Sequence, residues 1–117
     1  MPMKLTEAQL SRQVQDFLKL DGWRVLKQEP LSRAGGGRYA GELGMADLLA
    51  LRYADPHRAL SSAILWLEIK SAKGKVAKHQ AEWHAAERAR GGEVWIVSDF
   101  DAFRLVYINS GLNRSMR

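Results

Sequence analysis

The sequence predicts a small α/β domain in which a mixed β-sheet lies between helices, in the order αβββαβα. Three observations carry that reading. An apolar stripe at helical spacing opens the chain. Two apolar runs, residues 45–53 and 63–70, flank a polar turn and read as an antiparallel hairpin. A second helix, closed by Gly91-Gly92, then leads into a further apolar strand of the core.

Taken in order, the first helix is Glu7–Leu20, where Leu10, Val14, Phe17 and Leu18 form one stripe. Thr6 followed by Gln9 has capping-box spacing, and Asp21-Gly22 ends the helix. Residues 23–27 form a short strand with Trp23 and Val25 on one face. Residues 30–44, PLSRAGGGRYAGELG, make a glycine-rich loop carrying Arg33 and Arg38. Three consecutive glycines lower the cost of open backbone there, and so long a loop in a small domain is usually functional or mobile. It lacks the spacing and trailing Lys-Ser/Thr of a phosphate-binding P-loop, which disfavours nucleotide hydrolysis. The turn at 54–58, ADPHR, supplies the hairpin connection. Residues 78–90 form the second helix, and 93–97 an apolar strand running into the core. Ser98 and Asp101 are spaced to cap a short helix over 100–108. The polar tail GLNRSMR is expected to fray.

Composition bounds the function. The 117 residues suit one domain rather than two cores. Apolar and charged fractions of 46% and 26% are those of a globular chain. No apolar run approaches the roughly 20 residues needed to span a bilayer, and the N-terminus has no apolar signal core. The cytoplasm is therefore the expected compartment. With no cysteine there is no disulfide, no thiolate nucleophile and no thiolate zinc site. The formal charge of +5 suits a polyanionic partner such as nucleic acid.

The chemistry concentrates in ILWLEIKSAKGKVAKHQ. In a strand, Glu68 and Lys70 share a face while Ile69 points into the core. Burying either charge is costly unless it is paired or metal-bound; the plainer reading is a salt bridge on an edge strand. Asp47, in GMADLLAL, enters the strand expected to pair with that of Glu68. Neighbouring strands lie roughly 5 Å apart, so the two carboxylates could share one cation. Oxygen ligands without histidine or cysteine favour magnesium or manganese over zinc. A strand-entry acid after Gly44 is the ordinary alternative. Glu7 lies on the face of Leu10 and Val14, where a carboxylate needs a partner, although the helix dipole also favours acids in a first turn. His57 falls in a turn, and His79 and His84 are five apart rather than the four of a two-histidine metal face. Trp66, Trp83 and Trp95 read as core or interface residues.

Asp47 followed by Glu68-Ile69-Lys70 resembles the PD-(D/E)XK nuclease signature, and the details resemble its VRR-NUC branch. The pattern runs through Gly44-x-x-Asp47, Glu68-x-Lys70, Gly74-Lys75 and Gln80 on the following helix, and continues in GGEVWIVSDF with Ser98. Glu7 stands where that family often places an acid, and Gly22-Trp23 ends the opening helix. The resemblance spans residues 7–103. Met45-Ala46 precede Asp47 where the family name has a proline, and the Val-Arg-Arg triplet is absent.

This resemblance implies metal-dependent hydrolysis of DNA phosphodiesters on a PD-(D/E)XK restriction-endonuclease-like core. Asp47, Glu68 and the backbone carbonyl of Ile69 would hold Mg²⁺ or Mn²⁺, with Glu7 as a further ligand or a holder of its water shell. Lys70 would orient the attacking water and stabilise developing charge, and Gln80 would position a water or the phosphate. Lys73, Lys75, Lys78, Arg33 and Arg38 would hold the DNA backbone without reading sequence. Free-standing phage and bacterial members resemble homodimeric Holliday-junction resolvases, so a four-way junction is the first expected substrate. A flap or other branched DNA is second, and a non-catalytic DNA-binding module is the alternative class.

Overall fold

The computed structural model describes residues 5–28 and 42–113. Most of the expected glycine-rich loop, including Arg33 and Arg38, and the last four residues of the tail expected to fray lie outside the described residues. The observed elements are α1 (Glu7–Leu20), β1 (Arg24–Lys27), β2 (Leu48–Arg52), β3 (Ala63–Ile69), α2 (Lys78–Ala89), β4 (Val94–Val97) and α3 (Phe100–Asn109). The expected order αβββαβα holds.

The strands stand side by side in the order β1-β2-β3-β4. The first three are antiparallel, and β4 runs parallel to β3 after crossing over through α2. Parallel neighbours cannot be joined by a tight turn, so the crossover helix is what this topology demands. Register sorts the side chains. Leu48 pairs with Leu67 and Ala50 with Leu65, which puts these four on one face together with Ile69 and Val97. The α1 stripe of Leu10, Val14 and Leu18 and the α3 residues Phe103 and Tyr107 close over that face. Each such apolar side chain, fully buried, contributes roughly 1.5–3 kcal/mol. Phe17 locks the two helices together, edge-on to Phe100, Phe103 and Tyr107 at centroid distances of 5.8, 5.6 and 5.3 Å.

Helix ends follow local chemistry. At α1 the capping box is complete: Thr6 Oγ1 accepts the Gln9 N–H, and Gln9 Oε1 accepts the Thr6 N–H. At the end of α2 the Gly92 N–H reaches Glu87 O and the Gly91 N–H reaches Arg88 O, both at 3.0 Å. This Schellman arrangement needs the left-handed φ of +96° at Gly91. The cap of α3 corrects the expectation. Asp99, not Ser98, is the cap residue; its Oδ2 accepts the Ala102 N–H at 2.8 Å.

Three strands start later than expected, β4 by one residue at Val94. Trp23 completes the turn that ends α1, its N–H bonding to Leu18 O, so β1 begins at Arg24. Residues 45–47 lie before the β2 ladder, because the Met45 N–H is taken by Glu42 O and Gly44 turns the chain. The hairpin is antiparallel as expected, but its connection contains a 3-10 turn, Pro56–Arg58, whose cap Asp55 also bridges to Leu60.

At the end of the sheet away from Asp47, polar groups tie the termini of several elements. Trp23 Nε1 donates to the Tyr107 hydroxyl at 2.8 Å, and that hydroxyl donates to the Asp21 carboxylate. Burial and this carboxylate raise the Tyr107 pKa to about 12. The Arg52 guanidinium lies 4.6 Å over the Trp23 ring and donates to Leu112 O. No described helix is long and apolar enough to cross a membrane.

Candidate active site

The face of the sheet turned towards α2 carries Trp66 and Glu68 from β3, since side chains two apart share a face. Trp66 packs edge-on to Trp83 of α2 at 4.9 Å. Next to this apolar contact stands a buried acid. Glu68 is only 1% exposed, so its carboxyl must find partners inside the protein.

Asp47 is set beside it by strand pairing. The β2–β3 ladder ends at Leu48↔Leu67, and there the Asp47 side chain takes over: Oδ2 accepts the Ile69 N–H at 2.8 Å. On its other side, the Asp47 carbonyl accepts the Gln28 N–H at 2.7 Å. The N–H and C=O of one strand residue point to the same edge. The Ile69 carbonyl therefore faces the Asp47 side, where no ladder partner follows, while its side chain is buried in the core.

The two carboxyl groups are close enough to perturb each other. Burial, then a hydrogen bond with Asp47 and its charge, pushes the Glu68 pKa up to about 8, against a smaller opposing effect of Lys70. Without a cation, Glu68 thus keeps its proton at neutral pH. Lys70 follows on the same side, half-buried, with its backbone N–H bonded to Val97 O at 2.9 Å.

Helix α2 holds Glu68 from above. Gln80 Nε2 lies 3.4 Å from Oε2 and His84 Nε2 lies 3.1 Å from Oε1. Gln80 Oε1 is committed to the Ala77 N–H at 2.9 Å, half of a capping box, which fixes the amide with its NH₂ towards Glu68. His84 is the buried residue of α2, 1% exposed. Burial and the charges of Arg88 and Lys70 lower its pKa, so the imidazole is neutral near pH 7. Gly44 explains how α2 comes so close. It has φ +80°, and a Cβ there would stand 2.2 Å from the His79 carbonyl oxygen. Glu42 adds a contact from the same segment, accepting the Trp83 Nε1–H at 2.9 Å.

The remaining expected residues divide. Glu7 reaches the neighbourhood, but its Oε1 accepts the Ser71 N–H at 3.0 Å, and the side chain is exposed rather than buried with the Leu10 stripe. It pins the turn that follows Lys70, and its charge adds a small upward push to the Glu68 pKa. Lys73 and Lys75 are exposed on that turn. Lys78 is exposed at the start of α2, 4.0 Å from Glu82.

His84 was missed as a site residue. The expectation compared it with His79, five positions away. The informative spacing is Gln80 to His84, four apart, which stacks both on one helix face.

As a cation site the donors are two carboxyl groups and one backbone carbonyl, all hard oxygen. Among the described residues no group of three His, Cys, Asp or Glu side chains assembles to hold an ion. Two carboxyl groups and a carbonyl are the kind of donor set that suits Mg²⁺ or Mn²⁺, which retain several waters and are commonly held by one or two carboxylates plus substrate phosphates. It does not suit a closed zinc cage.

A solved structure described as a VRR_NUC domain superposes on this chain with a TM-score of 0.66, over 88% of this chain and 94% of that one, at 24% identity. The fold is that of a VRR_NUC domain. No family model and no curated protein matches the chain. The likeness is one of fold, a mixed sheet flanked by helices. In this VRR_NUC-like fold Asp47 stands at the entry of the second strand, and Glu68 near the end of the third.

Proposed function

We propose that the protein is a divalent-metal-dependent, structure-selective DNA endonuclease that hydrolyses phosphodiester bonds. The observation that carries this reading is the pairing of Asp47 with a buried Glu68 at the end of the β2–β3 ladder, within electrostatic reach of Lys70. A purely structural core has no use for two acids pressed together where one must keep a proton to be tolerated.

Asp47, Glu68 and the Ile69 carbonyl are the groups that would hold Mg²⁺ or Mn²⁺. Such an ion, when bound, polarises a phosphoryl oxygen and makes a bound water more acidic. Lys70 contributes a positive charge beside the carboxylates, where it orients the attacking water and offsets charge developing on the phosphate. Gln80 acts through Glu68 rather than as a base, since an amide does not titrate near pH 7. Glu7 holds the Ser71 turn and so keeps Lys70, Lys73 and Lys75 near the two acids. Lys73 and Lys75, with Lys78, Arg33 and Arg38, supply the positive surface for a DNA backbone.

Within this reading a four-way junction cut by a homodimer is the preferred substrate, because two symmetric cuts call for two equivalent sites. Exposed Ile96, Leu105 and Val106 offer apolar surface that a second copy would cover. The compartment is the cytoplasm of a bacterial or phage-infected cell.

The test is cleavage of a labelled four-way junction, a flap and a linear duplex with Mg²⁺ or Mn²⁺. Wild type cuts a branched substrate, while Glu68→Gln and Lys70→Met lower the rate by about 10²–10³-fold. Binding without cutting of any substrate sinks the enzyme reading and leaves a DNA-binding module. Light scattering that gives a monomer at working concentration removes the homodimer.

A further inference from the structure

We infer that His84 is a positioning residue which, together with Gln80, clamps both oxygens of the Glu68 carboxylate and so sets the cation affinity of the site; this rests on the nuclease reading above. The geometry is a two-point hold. Nε2 of His84 meets Oε1 at 3.1 Å, and Nε2 of Gln80 meets Oε2 at 3.4 Å. The two side chains rise from one face of α2, one turn apart, so the carboxylate plane is fixed by a rigid element rather than by a loop.

Each half of the clamp is itself held. Gln80 cannot flip its amide without breaking the bond from the Ala77 N–H to its Oε1. The His84 ring is buried, with the Trp83 ring edge-on at 6.2 Å. Trp83 in turn is tied by Glu42 and packed on Trp66. The same helix touches the segment that delivers Asp47, through the contact of Gly44 with the His79 backbone. Helix α2 is therefore the common frame of both carboxylates.

Cation binding requires Glu68 as the carboxylate, which only accepts hydrogen bonds. In that state Nε2 of His84 must carry the proton it donates. A residue that merely fills space behind Glu68 would leave the carboxylate free to rotate and one oxygen without a donor. Outer partners of this kind commonly change metal affinity by about 10–100-fold when removed.

The decisive measurement is the affinity of the free protein for Mn²⁺, read by electron paramagnetic resonance, beside thermal unfolding of each variant. His84→Leu removes the donor and weakens Mn²⁺ binding by about 10–100-fold. His84→Gln, whose longer amide can still donate to Oε1, recovers most of the affinity. His84→Asn, which falls short of Oε1, does not; it decides the matter where the leucine variant fails to fold. In cleavage assays the Mn²⁺ concentration for half-maximal rate rises with the same rank order, while the KM for DNA stays at its wild-type value. A folded His84→Leu or His84→Asn with wild-type Mn²⁺ affinity overturns the clamp. A wild-type protein that holds no Mn²⁺ overturns both the clamp and the nuclease reading. One that holds Mn²⁺ but cuts no DNA overturns the nuclease reading alone, and the Mn²⁺ affinities of the variants then decide the clamp.

Discussion

Asp47 accepts the Ile69 N–H through Oδ2 at 2.8 Å, at the point where the backbone ladder between their strands ends. One side chain thus closes the sheet and faces the neighbouring acid. Asp47→Asn keeps an acceptor for Ile69 and should unfold in urea within about 1 kcal/mol of wild type. Asp47→Ala leaves that N–H without its partner and should cost about 1–3 kcal/mol. Both should lose Mn²⁺-dependent cleavage by about 100-fold or more. Equal stability of the two variants would contradict the structural half of this role.

Cation binding should depend on pH through Glu68. Its pKa of about 8 means that below pH 8 a proton must leave before the carboxylate can act as a ligand. Titrations of Mn²⁺ against protein should show affinity rising by about tenfold per unit between pH 6 and 7.5, then levelling above 8. A flat profile across that range would mean that Glu68 is ionised throughout.

The same shift has a consequence for the metal-free fold. A carboxyl whose folded pKa lies above its unfolded value binds more protons when folded, so its contribution is complete below pH 4.5 and is lost as pH rises to about 8. Glu68→Gln mimics the protonated form. It should melt higher than wild type at pH 8.5 without metal, and close to wild type at pH 5, in scanning calorimetry. A variant less stable than wild type at pH 8.5 would argue against a raised Glu68 pKa in the metal-free fold.

Gly44→Ala should be among the most damaging small substitutions in the chain. The new methyl would meet the His79 carbonyl oxygen at 2.2 Å and its carbon at 2.7 Å, with φ at +80°. Left-handed backbone alone costs an alanine roughly 1–2 kcal/mol, and the obstacle is helix backbone that cannot swing aside. Urea denaturation should show a loss of about 2 kcal/mol or more. Unchanged stability would mean that α2 does not pack on this turn.

The exposed pair Lys73 and Lys75 should act on DNA through charge alone. Replacing both by alanine should leave folding intact and reduce the slope of log affinity against log salt by ~1.8 on duplex DNA. An unchanged slope would place the DNA path elsewhere.

The sequence by itself determined the elements and their order. Capping at Thr6–Gln9, the stripe from Leu10 to Leu18 and the Gly91-Gly92 stop are local signals, and local hydrogen bonding and helical periodicity are enough to read them. It also drew attention to Asp47, Glu68 and Lys70, each with an ordinary reading alone, through their joint resemblance to the VRR-NUC pattern. Boundaries were less legible. Whether Trp23 ends a helix or starts a strand, and whether Ser98 or Asp99 caps α3, turns on single hydrogen bonds that similar residues offer equally. Only the tertiary structure decided the environment of Glu68. Its raised pKa comes from burial under α2 and from Asp47, 21 positions earlier in the chain, brought alongside by strand register. The partnership of His84 with Glu68 likewise depends on how closely α2 crosses the sheet, and that distance is set by the missing side chain of Gly44.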